Sequence, residues 1–114
     1  MKPAVTLKKN YEFRRLYQRG ASAAGGSMVV YCRKNKLGHN RLGLTSSVKL
    51  GHAVVRNRVR RRFRELYRLH RADMLPGWDI IMVGRVRAAE LPYHKLEKQY
   101  LRCLAELGLL REDV

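Results

Sequence analysis

The stretch Arg41-Leu42-Gly43-Leu44-Thr45-Ser46-Ser47-Val48-Lys49-Leu50-Gly51-His52-Ala53-Val54-Val55-Arg56-Asn57-Arg58-Val59-Arg60-Arg61-Arg62-Phe63-Arg64 changes its pattern halfway along. Over residues 41–47 the side chains alternate, with Leu42 and Leu44 on one side and small or polar residues on the other, which predicts a strand. Gly51 closes a turn, and from about Ala53 to Met74 the apolar positions follow a helical period. With Arg56 at zero and ~100° per residue, Val55, Leu66, Val59, His70 and Phe63 fall between ~260° and ~340°, with Tyr67 at ~20°. Arg56, Arg58, Arg60, Arg61, Arg62, Arg64, Arg68 and Arg71 fill the arc from ~0° to ~240°. A strand therefore leads into a long helix that gives one stripe to a core and the rest of its surface to arginine.

Working outward, Asn10 is placed to cap a short helix to Arg19, with Phe13, Leu16 and Tyr17 on one side and Gly20 as terminator. Past a small-residue stretch, Met28-Val29-Val30-Tyr31-Cys32-Arg33 reads as a strand, and residues 22–24 can add a short one before it. Residues 35–40 form a turn. Pro76-Gly77 breaks the long helix, and Trp78-Asp79-Ile80-Ile81-Met82-Val83-Gly84 is apolar almost throughout, as a central strand buried on both faces requires. A last amphipathic helix runs from Glu90 to Leu110, where Gly108 can end it. The order is α-β-β-α-β-α, a single α+β domain over residues 1–114 whose helices cover one sheet.

The chain's 114 residues suffice for one modest core. Its 25 Lys+Arg against 9 Asp+Glu leave a formal charge of +16 and a pI near 10.8, yet 46% of its residues are hydrophobic, the ordinary globular level. The excess is local: residues 1–64 carry 17 basic residues and one acid, Glu12, whereas residues 65–114 balance eight against eight. Like charges at i,i+4 with no acid to pair them cost a few tenths of a kcal/mol each, so such density calls for an anion. Arginine's planar fork grips phosphate and stacks on bases, which favours nucleic acid over a membrane surface, where helices mix in lysine and spend their apolar side on lipid. The strand-flanked helix matches no helix-turn-helix or homeodomain pattern; phosphate contacts joined to aromatic stacking fit RNA or a single strand. Tyr31 shares a strand face with Val29 and Arg33 and forms a candidate stacking platform. Phe13 and Tyr17 stay open to two readings, packing of the first helix or stacking on bases.

Little in the chain points to hydrolysis by the protein itself. Cleaving a phosphodiester needs a base, an acid or clustered carboxylates holding a metal, whereas Asp73, Asp79, Glu90, Glu97 and Glu106 are spread among elements, mostly at helix surfaces or ends. His70 falls in the apolar stripe and reads as a satisfied core residue; His39, His52 and His94 sit near turns or a helix start. Cys32 and Cys103 occur in no metal-ligand spacing and read as buried hydrophobes, so neither zinc nor a disulfide is expected. No run approaches the ~18 apolar residues that cross a bilayer, and the N-terminus lacks a signal peptide's apolar core; the expected setting is the cytoplasm, away from membranes.

The stretch from Arg41 to Glu65, and within it the Lys-x-Gly-x-Ala-Val-x-Arg-Asn-Arg run at Lys49–Arg58, closely resembles the signature of the bacterial ribonuclease P protein subunit. The likeness extends to the helix bearing Phe13 and Tyr17, the strand bearing Tyr31, the late apolar strand and the terminal helix, and so to effectively the whole chain. Val48 stands where that family often has a second Lys, and His52 where Asn is common. The resemblance implies a ribosomal-protein-like sandwich whose crossover through the basic helix is left-handed, against the usual rule. It implies an accessory subunit of an endoribonuclease whose catalytic RNA removes the 5′ leader of precursor tRNA. The chemistry and its Mg²⁺ would then belong to the RNA, with no cofactor on the protein and no obligate protein partner. By position, Arg56, Asn57, Arg58, Arg60, Arg61, Arg64 and Arg68 would contact the catalytic RNA. Phe13, Tyr17 and Tyr31 would line the leader cleft, with Arg33 and Lys49 nearby. The competing expectation is a structural ribosomal or general RNA-binding protein with no part in processing.

Overall fold

The computed structural model describes residues 5–46 and 48–112. Its strands are β1 (Ala21–Ala24), β2 (Met28–Lys34), β3 (Arg41–Ser46) and β4 (Trp78–Gly84), and its helices α1 (Asn10–Arg19), α2 (Ala53–His70) and α3 (Tyr93–Glu106). The expected element order holds, and the short extra strand is β1. One sheet has the order β1-β2-β4-β3: β1 with β2 and β2 with β4 are antiparallel, while β3 and β4, joined through α2, are parallel. The apolar run thus takes an inner position, with Ile80, Ile81 and Met82 fully buried. Along the outer side of β3, the Leu7 N–H donates to the Leu42 carbonyl and the Leu42 N–H to the Val5 carbonyl, which covers an otherwise open edge.

Side chains alternate along each strand, so the register defines two faces. On one, Val30, Cys32, Leu42, Ile80 and Met82 meet Val59, Phe63, Leu66 and Tyr67 of α2 and Leu96, Tyr100 and Leu104 of α3 in the main core. On the other, the row Tyr31–Ile81–Gly43 lies under α1, where Leu7, Leu16 and Ile81 form a small second cluster edged by Phe13, Tyr31 and Val83. Glycine permits the close approach on each side. A Cβ on Gly84 would lie 2.8 Å from Val59 Cγ1, and one on Gly43 would lie 2.8 Å from Phe13 Cε1.

Several boundaries differ from the expectation. The N-cap of α1 is Lys9 rather than Asn10, because Glu12 reaches back to accept from the Lys9 backbone N–H at 3.2 Å and draws Asn10 into the first turn. The long helix stops at His70 rather than Met74. Residues Arg71–Asp73 tighten into a 3₁₀ turn, and Met74 pairs with Leu110 in an antiparallel bridge. The last helix starts at Tyr93 and ends at Glu106 rather than running from Glu90 to Leu110: Glu90 still caps the 3₁₀ turn Val86–Ala89, Pro92 caps the helix, and Gly108, at φ 70°, turns the chain back beyond its end. Asp79 is buried in the sheet with the apolar run around it. Ser47, the expected end of the third strand, lies outside the described residues.

Candidate nucleic-acid interface

The apolar stripe of α2 is where the helical count places it. Val59, Phe63, Leu66 and Tyr67 are buried, and Val55 and His70 half-buried at its margins. The rest of the helix points away from the sheet. Asn57, Arg58, Arg61, Arg64 and Arg68 are exposed and Arg56 and Arg60 half-buried. No acid lies in the first turn, so the positive end of the helix dipole faces Arg56 and Arg58 instead of the anions it favours. Among the described residues Arg58, Arg61 and Arg64 make no hydrogen bond or ion pair, and Arg56 Nε is buried without a partner. Arg60 donates to Asn57 Oδ1 at 2.8 Å, which ties two of the expected contact residues together. Arg68 is clasped by Glu65, whose carboxyl that hydrogen bond holds below the ordinary carboxylate range. The members of the expected set thus differ: Arg58, Arg61 and Arg64 are free, Arg68 is partly neutralised.

Arg62 stands apart. Its guanidinium donates to the Ala88 carbonyl at 2.8 Å and the Leu91 carbonyl at 2.6 Å, bolting α2 to the turn that precedes α3. Burial first, and the charge of Arg58 after it, hold its pKa below the ordinary arginine value.

Across the sheet, α1 presents the aromatic set. Phe13 is half-buried over Gly43 and belongs to the small cluster, so it packs. Tyr17 is 41% exposed; its ring meets Tyr31 edge to face at 5.0 Å, and its hydroxyl lies 3.2 Å from Thr45 Oγ1. Beside this pair the sheet is open: Val29 is half-buried and Ser22 and Ala24, its β1 neighbours on that face, are exposed. The result is an open strip of sheet with one half-exposed aromatic wall.

The two basic residues expected beside these aromatics line other recesses. Arg33 points into a recess of about 400 Å³ that it shares with Tyr11, Arg15, Lys34 and Lys36. Lys49 lines a recess of similar size at the end of β4, with Gly26, Arg85 and Arg87. Sequence reasoning missed Arg15, Arg85 and Arg87, and no local signal marks them, since Glu12 and Glu90 stand three residues from Arg15 and Arg87 where an ordinary helix-surface partner would be.

Five acids, Glu12, Glu65, Asp73, Asp79 and Glu97, are committed to structure. Asp79 accepts from Arg41 Nε at 2.8 Å and Nη2 at 2.7 Å and from Asn35 Nδ2 at 2.9 Å, while Arg41 Nη1 reaches Glu12 at 2.6 Å. Burial raises the Asp79 pKa, but the Arg41 and Asn35 hydrogen bonds outweigh it and hold the carboxyl below its ordinary range. His70 Nε2 lies 2.7 Å from Glu97 Oε2, so it has the expected partner at the edge of the core rather than inside it. Cys32 and Cys103 are both buried and unbridged. Among the described residues no three His, Cys, Asp or Glu side chains converge to hold a metal, and no helix is long and apolar enough to cross a membrane.

Known proteins share this arrangement along its whole length. The Ribonuclease P family model matches residues 1–108. The ribonuclease P protein component of Natranaerobius thermophilus is 43% identical over all of this chain and 99% of its own, and that of a Geobacillus strain is 36% identical over 100% and 99%. Among solved structures, the Staphylococcus aureus RNase P protein superposes with a TM-score of 0.85 at 35% identity, covering 95% of this chain and 99% of that one. The Thermotoga maritima RNase P protein gives 0.78 at 26% identity, covering 85% and 92%. The chain belongs to the ribonuclease P protein family, and is a protein component of that tRNA-processing ribonucleoprotein endonuclease.

Proposed function

We propose that the chain uses the two faces of its sheet for two RNAs at once, in the cytoplasm: the arginine surface of α2 holds the catalytic RNA, and the groove beside Tyr17 and Tyr31 holds the single-stranded 5′ leader of precursor tRNA. The observation that carries this reading is the separation of unpaired arginines on one face from half-exposed aromatics on the other. Arg58, Arg61 and Arg64 have no carboxylate among the described residues to release before meeting phosphate, and the acid-free first turn of α2 adds the helix dipole. Tyr31 and the exposed edge of Tyr17 offer a ring on which a base can stack, whereas Phe13 supports the wall from below. Hydrolysis, and the Mg²⁺ it uses, belong to the RNA partner in this reading, since Glu12, Asp79, Glu65, Asp73 and Glu97 are spent on Arg41, Arg68 and His70. The protein's share is to neutralise phosphate charge and to capture the leader, which adds binding energy that mature tRNA lacks.

Leader removal by the catalytic RNA at low magnesium tests this directly: added protein should restore it, which a merely structural RNA binder would not do. In the same assay Tyr31→Ala should lower affinity for precursor relative to mature tRNA by about 1–3 kcal/mol, the worth of one stacked base. Equal losses for both substrates would confine Tyr31 to the fold.

A further inference from the structure

We infer that the recess on the other flank of α1 is a second single-strand subsite, which takes leader nucleotides beyond those at Tyr31; the inference rests on the leader reading above. Helical spacing puts Phe13 and Tyr17 on one side of the buried Leu16 and Glu12 and Arg15 on the other, so α1 divides the sheet face into two gutters. The first is the aromatic groove. The second is the recess of about 400 Å³ bounded by α1, the end of β2 and the turn that follows it. Its acids are already spent: Arg41 lies between Glu12 and Asp79 and hydrogen-bonds both. What remains facing solvent is Arg15, Lys34 and Lys36, none of which has a carboxylate partner among the described residues. Tyr11 stands at the rim, 53% exposed, with Arg15 5.6 Å and Lys9 Nζ 5.9 Å from its ring centre.

A ring flanked by unpaired cations above a neutralised floor has the chemistry of a nucleotide site, a base on the aromatic and phosphate on either side. The recess shares its sheet face with Tyr31, and the exposed Arg14 and Gln18 on the outer edge of α1 connect the two gutters. The arginine surface of α2 lies on the opposite face, which favours leader over catalytic RNA as the occupant.

The test uses the reconstituted holoenzyme and two precursors, with leaders of about four and about twelve nucleotides, within the span such single-strand sites cover. The double variant Arg15→Ala, Lys36→Ala should weaken binding of the long-leader precursor about fivefold or more and leave the short one unchanged, with the salt slope for the long leader shallower by about 0.7 per lost phosphate contact. Tyr11→Ala should show the same length dependence. Removing two charges elsewhere, with Lys95→Ala and Lys98→Ala on α3, should leave the ratio of the two affinities as it is. Unchanged long-leader affinity in the double variant overturns the subsite. So does an equal loss for both leaders accompanied by weaker binding to the catalytic RNA alone, which would give the recess to that RNA. Tyr31→Ala separates this inference from the reading beneath it: if it affected neither precursor while the double variant still lost the long leader, the aromatic groove would fall as a leader site and the recess would stand.

Discussion

On the α2 and α3 side of the sheet nineteen buried residues form one continuous cluster among the described residues; on the α1 side three do. The first face is closed by burial and the second is held largely by charge, through the bridge from Glu12 to Arg41 to Asp79 that ties the start of α1 to β3 and β4. A face that must receive a ligand cannot also be finished as a core. Leaving α1 narrow keeps Tyr17 and Tyr31 half wet, while the complete packing beneath α2 makes it a rigid platform for side chains that point outward.

The sharpest way to break this contrast is to make the same truncation on both faces. Phe63 is fully buried, so Phe63→Ala should cost about 3–5 kcal/mol, lost transfer energy plus a cavity that α2 and α3 cannot close. Phe13 is half-buried at the rim of the small cluster, and Phe13→Ala should cost about 1–2 kcal/mol by the area it removes from contact. Urea unfolding of the two variants measures both. Equal costs would mean that the α1 face is a second core rather than a perch for an aromatic wall.

The closed face was readable from sequence because it is built from local periodicity. The stripe Val59, Phe63, Leu66, Tyr67 and the run Ile80-Ile81-Met82 follow from spacing alone, and the arginine arc is their complement. The open face was legible only in its aromatics. Its clamp joins Glu12, Arg41 and Asp79 from three distant points of the chain, and although Asp79 lies in a run that reads as a buried strand, nothing local names the partners that neutralise it. Arg33 alternates with Tyr31 as a shared face requires, yet it lines the far gutter because α1 crosses between them. The period of the long helix continued to Met74, but backbone pairing between Met74 and Leu110, 36 residues later, overrode it.

If charge holds α1 down, acid should release it before it melts the other face. The Asp79 carboxyl sits below its ordinary range in the fold, so its contribution is complete above the pKa of an unfolded aspartate and is lost as the pH falls through the lowered native value. Asp79→Asn leaves Arg41 with Glu12 alone and should cost about 2–3 kcal/mol at neutral pH. Unfolding free energies measured against pH should converge for the two proteins as the pH drops into that window. A gap that persisted in acid would assign the loss to packing and erase the distinction between the faces.

The smallest expected effect tests the same contrast within α2, where neighbouring arginines divide between holding the fold and awaiting a partner. Arg62 spends its guanidinium on the carbonyls of Ala88 and Leu91, and Arg61 spends its own on nothing among the described residues. Arg62→Ala leaves two carbonyls short of a charged donor and should cost about 1–2 kcal/mol of stability, whereas Arg61→Ala should stay within about 0.5 kcal/mol of the parent. Binding should reverse the order. Arg61→Ala should make the salt dependence of catalytic-RNA affinity shallower by about one unit for its lost phosphate contact, and Arg62→Ala should leave that slope unchanged, because its charge is already turned inward. If both variants lowered the slope equally, the inward turn of Arg62 would not survive contact with RNA, and α2 would carry one undivided arginine surface.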